Sequence, residues 1–167
     1  MAICQSNLRH FARNYASPSE VLCRMNEVMV EEMRPDMFIT MIYAVIDMEK
    51  NELVLARGGH ELPILVHPVD GDGQVHSELV QSEGMALGMV PDDIFCSAMR
   101  DLTVPFRKGD ILALYTDGVT EASNMEGVEF SNGRLADAVR TLRNREAEDL
   151  VNGIMERIAH FTGPAGQ

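Results

Sequence analysis

Ile111-Leu112-Ala113-Leu114-Tyr115-Thr116-Asp117-Gly118-Val119-Thr120-Glu121 is the stretch on which the reading of this chain turns. A continuous apolar run ends abruptly in Thr-Asp-Gly. That pattern predicts a buried strand delivering one carboxylate to a tight turn at the edge of a sheet. A carboxylate fixed by rigid backbone suits a hard cation with oxygen ligands, such as Mg²⁺ or Mn²⁺. Taken alone, Asp117-Gly118 is more often simple turn chemistry. What surrounds it decides between the two.

Upstream, Met37 to Ile46 is apolar on both alternating faces, which predicts a strand covered on both sides. Asp47 to Asn51 is a turn, and Glu52 to Arg57 is the returning strand of an antiparallel hairpin. Gly58-Gly59-His60 breaks that strand as a backbone bend needing positive φ, with His60 bonded to nearby backbone. Leu62 to Val66 resumes extended structure, with Pro63 favouring an edge or bulge. Val75 to Val80 reads as a short strand, Gly84 to Pro91 as a glycine-punctuated loop, and Ile94 to Val104 as extended. Pro105 to Asp110 is the turn into the strand that ends at Asp117.

Helices flank this block of strands. Residues 2 to 15 place Cys4, Leu8, Phe11, Ala12 and Tyr15 on one face. Ser17-Pro18-Ser19-Glu20 starts a second helix, with Ser17 as N-cap, Pro18 in the first turn and Glu20 completing a capping box. Its apolar face is Val21, Leu22, Met25, Val28, Met29 and Met33. After the loop from 118 to 133, one helix uses Leu135, Ala138, Val139 and Leu142. The last uses Ala147, Leu150, Val151, Ile154, Ile158 and Phe161. Segregated blocks joined by hairpins indicate an α+β fold with antiparallel sheet.

Composition narrows the function. The 167 residues suit one domain, and a hydrophobic content of 46% supports a full core. A net charge of −12 argues against nucleic acid and against anionic membrane surfaces as partners. No apolar run is long enough to cross a bilayer. Cys4, Cys23 and Cys96 are odd in number and widely spaced, which reads as three buried thiols in a reducing cytoplasm.

Several short segments, in order, resemble the PPM-type metal-dependent serine/threonine protein phosphatases, and most of all their bacterial sporulation and stress-response (SpoIIE-type) branch. They are Met37-Phe38-Ile39-Thr40-Met41, Gly58-Gly59-His60, Gly84-Met85-Ala86-Leu87-Gly88, Lys108-Gly109-Asp110, the block from Leu114 to Ala122, and Asn124 to Phe130. Each motif is weak alone; their shared order is what carries the resemblance.

The resemblance implies a four-layer α-β-β-α sandwich spanning residues 1–167 as a single domain, without the family's first and last strands. It implies hydrolysis of a phosphoserine or phosphothreonine by water activated on two Mn²⁺ or Mg²⁺ ions, which lower the pKa of that water and neutralise developing charge. Asp117 becomes a direct metal ligand, with Gly118 beside it. Thr116, Thr120 and Glu121 support the turn, and Gly59 and His60 contribute to the rim of the site. The family's other carboxylates, before its first long helix and after its last, have no counterpart here, so the sequence resembles a piece of a longer phosphatase. The implied partners are a phosphorylated regulatory protein such as an anti-sigma-factor antagonist, and a sensor or receiver domain in a longer chain. An edge left by a missing strand predicts a homodimer. The contrasting reading is a catalytically silent interaction module.

Other candidates are weaker. Asp70, Asp72 and Gln74 faintly resemble the start of a calcium loop, but Val75 and Gln81 stand where Gly and Glu are needed. Gly71-x-Gly73-x-x-His76 lacks the third Gly of a dinucleotide fingerprint, and no Gly-x-Ser-x-Gly elbow occurs. His67 and His76 lack metal-ligand spacing, and His10 and His160 read as helix surface groups.

Overall fold

The computed structural model describes residues 2–34, 36–68 and 75–163. In chain order the elements are α1 (Ala2–Asn14), α2 (Pro18–Glu32), β1 (Met41–Asp47), β2 (Glu52–Gly58), β3 (Ile64–Val66) and β4 (Ser77–Leu79). Then follow α3 (Asp92–Ala98), β5 (Leu102–Pro105), β6 (Ile111–Ala113), α4 (Asp117–Thr120), α5 (Ser131–Leu142) and α6 (Ala147–Thr162). They fall into two compact units, Met1–His60 with Gln81–Lys108, and Glu61–Val80 with Gly109–Gln167. Asp70, Asp72 and Gln74 lie outside the described residues.

The first unit is an antiparallel sheet, ordered β1-β2-β5, with helices packed on it. The β1–β2 hairpin pairs Met41 with Gly58 through to Asp47 with Glu52. At its turn, Asp47 Oδ1 accepts the N–H groups of Glu49 and Lys50, which holds that carboxyl below its ordinary range. Leu53 and Leu55 alternate into the interior of β2. α2 supplies Val21, Leu22, Met25 and Met29 to the core, beside Ala56, Leu87, Phe95 and Met99.

α2 begins where the capping sequence places it. Ser17 Oγ accepts the Glu20 N–H at 3.3 Å. Sequence reading missed the second half of this cap: Asp101 accepts from Ser17 Oγ and from the Ser19 N–H, both at 2.6 Å. A carboxylate there satisfies an orphan N–H and complements the helix dipole.

Asn26 is a fully buried polar residue on the same helix. Its Oδ1 accepts the Gly88 N–H at 2.9 Å, and its Nδ2 donates to Asp92 Oδ1 at 2.5 Å and to Val90 O at 3.3 Å. One amide thereby ties α2 to the loop before α3 and to α3 itself. That loop also packs against β2: a Cβ on Gly84, at φ 154°, would stand 1.6 Å from the Arg57 carbonyl oxygen.

Four expectations are corrected in this unit. The span Ile94 to Val104 is not continuously extended: α3 takes Asp92–Ala98, and β5 begins at Leu102. Phe95 and Met99, four apart, turn the same way into the core, which an α-helix provides and a strand does not. The strand expected from Met37 starts at Met41, with Ile39 held by a lone bridge to Leu87. β1 is not covered on both sides, since Val45 and Ile46 are exposed. Cys23 and Cys96 are not separate thiols but a disulfide between α2 and α3, with Cα atoms 5.4 Å apart, a distance such a bond spans. Their separation of 73 residues hid a proximity that helix packing creates.

The second unit is an antiparallel sheet ordered β4-β3-β6, with α5 packed on β3 and β4 and α6 packed on α5. Its core joins Ile64, Val66, Tyr115 and Phe130 to Leu135, Ala138, Val139 and Leu142 of α5 and to Leu150 and Ile154 of α6. Val151, assigned to the inner face of α6, is exposed. Gly153 lets the two helices approach, since a Cβ there would meet Leu142 at 2.9 Å.

Asn26 gives the first prediction. Asn26→Leu removes both arms of the amide and leaves the part-buried Gly88 N–H without its acceptor. An unmet buried group costs about 1–3 kcal/mol, so urea unfolding should show a lowered midpoint by that order. An unchanged midpoint would mean the amide contributes nothing net.

Candidate active site around Asp117

The apolar run beginning at Ile111 pairs as a strand only through Ala113, opposite Ile64, Leu65 and Val66. The expectation of a strand continuing to Asp117 is corrected here. Leu114 is exposed, Tyr115 turns inward, and Asp117 opens the short helix α4 rather than a turn at a strand end. The change of course has a polar cause. The Tyr115 hydroxyl lies 2.8 Å from the Leu62 carbonyl oxygen and 2.8 Å from the Asn132 side-chain amide oxygen. A phenol has one proton to donate, so it donates to the carbonyl and accepts from Asn132 once that amide is turned. Burial, and then the Glu61 carboxylate, push the Tyr115 phenol up to about 12.

Asp117 therefore sits two residues beyond an anchored side chain. Its Oδ1 accepts the Gly118 N–H at 2.8 Å. Its carbonyl oxygen accepts the Glu121 N–H at 2.8 Å and the Thr120 hydroxyl at 3.2 Å. Thr120 is buried, so it braces the turn as expected. Thr116 stands at the N-cap position and makes no side-chain cap bond; its carbonyl oxygen accepts the Val119 N–H at 3.0 Å. Asp117, Gly118 and Glu121 face solvent. The carboxylate is thus held at one oxygen by its own backbone and carried at the surface.

Behind α4 the chain folds back on itself. Asn124 Oδ1 accepts the N–H groups of Glu126 and Val128, and Ser123 pairs with Glu129. The Phe130 N–H then reaches the Ala122 carbonyl oxygen at 2.8 Å, closing the loop. The Asn124-to-Phe130 motif is thereby a self-bonded support for the helix that follows.

Gly59 and His60 belong to the other unit. Gly59 has φ 71°, and a Cβ there would lie 2.5 Å from the Ala86 nitrogen, so the position requires glycine twice over. His60 is bonded differently from the expectation: its Nδ1 lies 3.0 Å from the Thr40 hydroxyl, while its carbonyl oxygen accepts from Arg57 at 2.8 Å. Arg57 also donates to Ser82 O at 2.8 Å, clasping the strand end to the loop.

Among the described residues, no three His, Cys, Asp or Glu side chains converge as a metal site. A Mg²⁺ or Mn²⁺ ion needs near-octahedral oxygen coordination, and one carboxylate with backbone does not supply it. The described residues alone do not fit such an ion. Sequence reading singled out Asp117 and did not anticipate the contact between Tyr115 and Asn132 behind it. The available signal was a hydroxyl inside an apolar run, which needs a partner wherever it is buried.

Solved structures share this fold. The SiaA PP2C domain of Pseudomonas aeruginosa superposes with a TM-score of 0.78 at 16% identity, covering 98% of this chain and 63% of that one. The RsbU and RsbW domains of Rv1364c from Mycobacterium tuberculosis give 0.75 at 20% identity, over 98% of this chain and 43% of that one. The fold is that of PP2C phosphatase domains, and the expected α+β class with antiparallel sheets holds.

The chain belongs to the SpoIIE (stage II sporulation protein E) family, whose model matches residues 1–167. Among curated proteins it is 28% identical over 130 residues to the phosphoserine phosphatase RsbU of Bacillus subtilis, and 30% identical over 127 residues to IcfG of Synechocystis. Those alignments take in 75% and 76% of this chain but only 36% and 19% of the relatives.

The buried phenol makes folding stability fall at high pH. Below pH 10 both folded and unfolded states hold the Tyr115 proton. Between about 10 and 12 the unfolded state loses it while the folded state keeps it, so stability drops across that window. Tyr115→Phe should flatten this part of the curve, read as urea midpoints at pH 8 to 11. An identical slope in the variant would place the effect elsewhere.

Proposed function

We propose that this chain forms one domain of a bacterial signalling phosphatase that removes phosphate from serine or threonine of a regulatory protein. The observation that carries the reading is the Asp117 carboxylate. It sits in a chain matched end to end by the family model, and it is surface-carried with one oxygen fixed by the Gly118 N–H. Its other oxygen makes no hydrogen bond among the described residues. In this reading Asp117 is a metal ligand, with Gly118 beside it, Thr120 bracing its backbone, and Thr116 and Glu121 flanking it.

The cofactor is Mn²⁺ or Mg²⁺. A phosphatase domain of SpoIIE from Bacillus subtilis was soaked with Mn before its structure was determined, and its fold matches with a TM-score of 0.58. The further ligands come from outside the described residues, in keeping with relatives several times longer than the aligned region. A phosphorylated anti-sigma-factor antagonist suits the likeness to RsbU as a substrate. A sensor or receiver domain suits the extra length of the relatives.

A lone carboxylate also supports the second reading, a phosphatase fold used as a binding module. The two separate in one assay: Mn²⁺-dependent release of phosphate from a phosphoserine peptide, with EDTA and Asp117→Asn as controls. The enzyme reading expects activity that EDTA abolishes and that the substitution lowers on the order of 100-fold or more. The thermal melting point should stay unchanged, because the side chain is exposed and Asn still accepts from Gly118. Folded protein without activity supports the binding module.

Self-association is the remaining expectation. Among the described residues β6 pairs with β3 alone, and Leu114, Val151 and Met155 around it are exposed. An open edge beside apolar side chains invites pairing with a second copy. Sedimentation should show a dimer growing with concentration, more so at higher salt because screening weakens repulsion between acidic chains. A monomer throughout would rule the dimer out.

A further inference from the structure

Three links fasten α2 to α3 and to the segment just beyond it, and the middle one is covalent. Asn26 Nδ2 donates to Asp92 Oδ1 at 2.5 Å, Cys23 is bonded to Cys96, and the Ser19 N–H donates to Asp101 Oδ1 at 2.6 Å. Going back along α2 from 26 to 19, the partners advance from 92 to 101, so the two stretches run antiparallel. The disulfide therefore lies between two polar contacts that hold the same helices independently of it. Val21, Leu22 and Met25 of α2 and Phe95 of α3 are fully buried in the adjoining core. A core of that kind does not need a covalent bond to assemble, unlike the small secreted domains that disulfides hold together.

Access to the sulfurs is the second observation. Cys23 and Cys96 are both partly exposed, and both line one cavity of about 310 Å³ together with Tyr15, Arg24 and Glu27. Arg24 is paired with Glu27 and lies 5.6 Å over the centre of the Tyr15 ring. A small thiolate entering that cavity meets the bond without the core opening, and access is one of the conditions for exchange. Cys4, the remaining cysteine, packs against the same core but is outside the residues that line the cavity.

We propose that Cys23 and Cys96 form a reversible redox pair, switched by exchange with a low-molecular-weight thiol. The small thiolate attacks one sulfur, the S–S bond breaks, and the other sulfur leaves as a thiolate. A second small thiolate then attacks the mixed disulfide at the small molecule's sulfur and releases the first protein sulfur. Two electrons reduce the cystine, the protons of the two small thiols end on Cys23 and Cys96, and one small-molecule disulfide is formed. That disulfide runs the sequence backwards. Reduced, the two thiols stay within reach of each other, because the Asn26–Asp92 and Ser19–Asp101 contacts remain on either side and the Cα atoms, 5.4 Å apart, already suit a bond. The bond state bears on the loop from Gly84 to Pro91. Asn26 accepts the Gly88 N–H, Leu87 pairs with Ile39, and Ala86 lies against Gly59, where a Cβ would stand 2.5 Å from its nitrogen. Oxidation stiffens the base of this loop and reduction frees it, beneath the strand end that carries Gly59 and His60.

The test equilibrates the whole native chain with glutathione at graded ratios of reduced to oxidised form, traps free thiols with a maleimide and reads the mass. Two thiols besides Cys4 should appear and disappear together, at the same ratio from either direction, while circular dichroism shows the chain folded throughout. Amide exchange in residues 84–98 should be about tenfold slower in the oxidised chain. Cys23→Ser and Cys96→Ser, at partly exposed positions, should each keep the faster exchange in every buffer, and Cys4→Ser should leave the titration unchanged. The proposal is overturned if reducing buffer frees the pair only after denaturation, if both thiols stay open to maleimide in the most oxidising buffer, or if exchange in residues 84–98 is the same in both forms. A glutathione adduct accumulating on one cysteine in place of the internal bond, or loss of the titration in Cys4→Ser, would also overturn it.

Discussion

A single phenol hydroxyl sets the geometry on which the Asp117 region depends. Tyr115 leaves the line of β6 because its side chain must be buried while its oxygen needs partners, and Leu62 and Asn132 provide them. Leu62 leads into β3, and Asn132 lies in the first turn of α5. The hydroxyl therefore joins three stretches of chain at the point where the strand ends. Once Tyr115 is pinned, Thr116 and Asp117 have little freedom, and the backbone bonds of α4 remove most of the remainder. A carboxylate at the surface is in this way positioned from the interior.

Local signals in the sequence were the readable ones. Ser17-Pro18-Ser19-Glu20 marks the start of α2 because capping is decided within four residues. The antiparallel return of β2 on β1 and the buried face of α5 follow from a local turn and from helical spacing, although β1 starts later than expected and is not covered on both sides. Features that failed were those fixed by distant partners. The span Ile94 to Val104 reads as extended, yet its first part belongs to α3, whose seven residues are too few for helical periodicity to show. The Asp101 cap, the Asn26 amide and the Cys23–Cys96 pair each join residues more than sixty apart. Asp117 stands out in the sequence on local grounds, an apolar run and then Asp-Gly, although the strand expected to reach it ends at Ala113. Its anchor does not, because Tyr115 and Asn132 meet only after α5 has packed.

The two polar networks divide the labour differently. Asn26 is wholly enclosed and satisfied on both arms, so it specifies which loop meets α2. Around Asp117 the backbone carries the bonds and the carboxylate keeps one oxygen outward.

The order of segments along the chain has a consequence for how the molecule is made. The first unit takes residues 1–60 and then 81–108, with part of the second unit threaded between them. A growing chain that has released α1, α2 and the first hairpin still lacks Leu87, Phe95 and Met99, which close that core. The second unit likewise waits for α5 and α6 to cover Ile64 and Val66. Neither unit can be completed as the chain emerges from its N-terminus, and each must close a long loop before its core rewards it. During synthesis, the apolar face of α2 is therefore exposed for as long as it takes to translate the next several dozen residues. Nascent chains of this fold should lean on holding chaperones more than domains built from one contiguous segment.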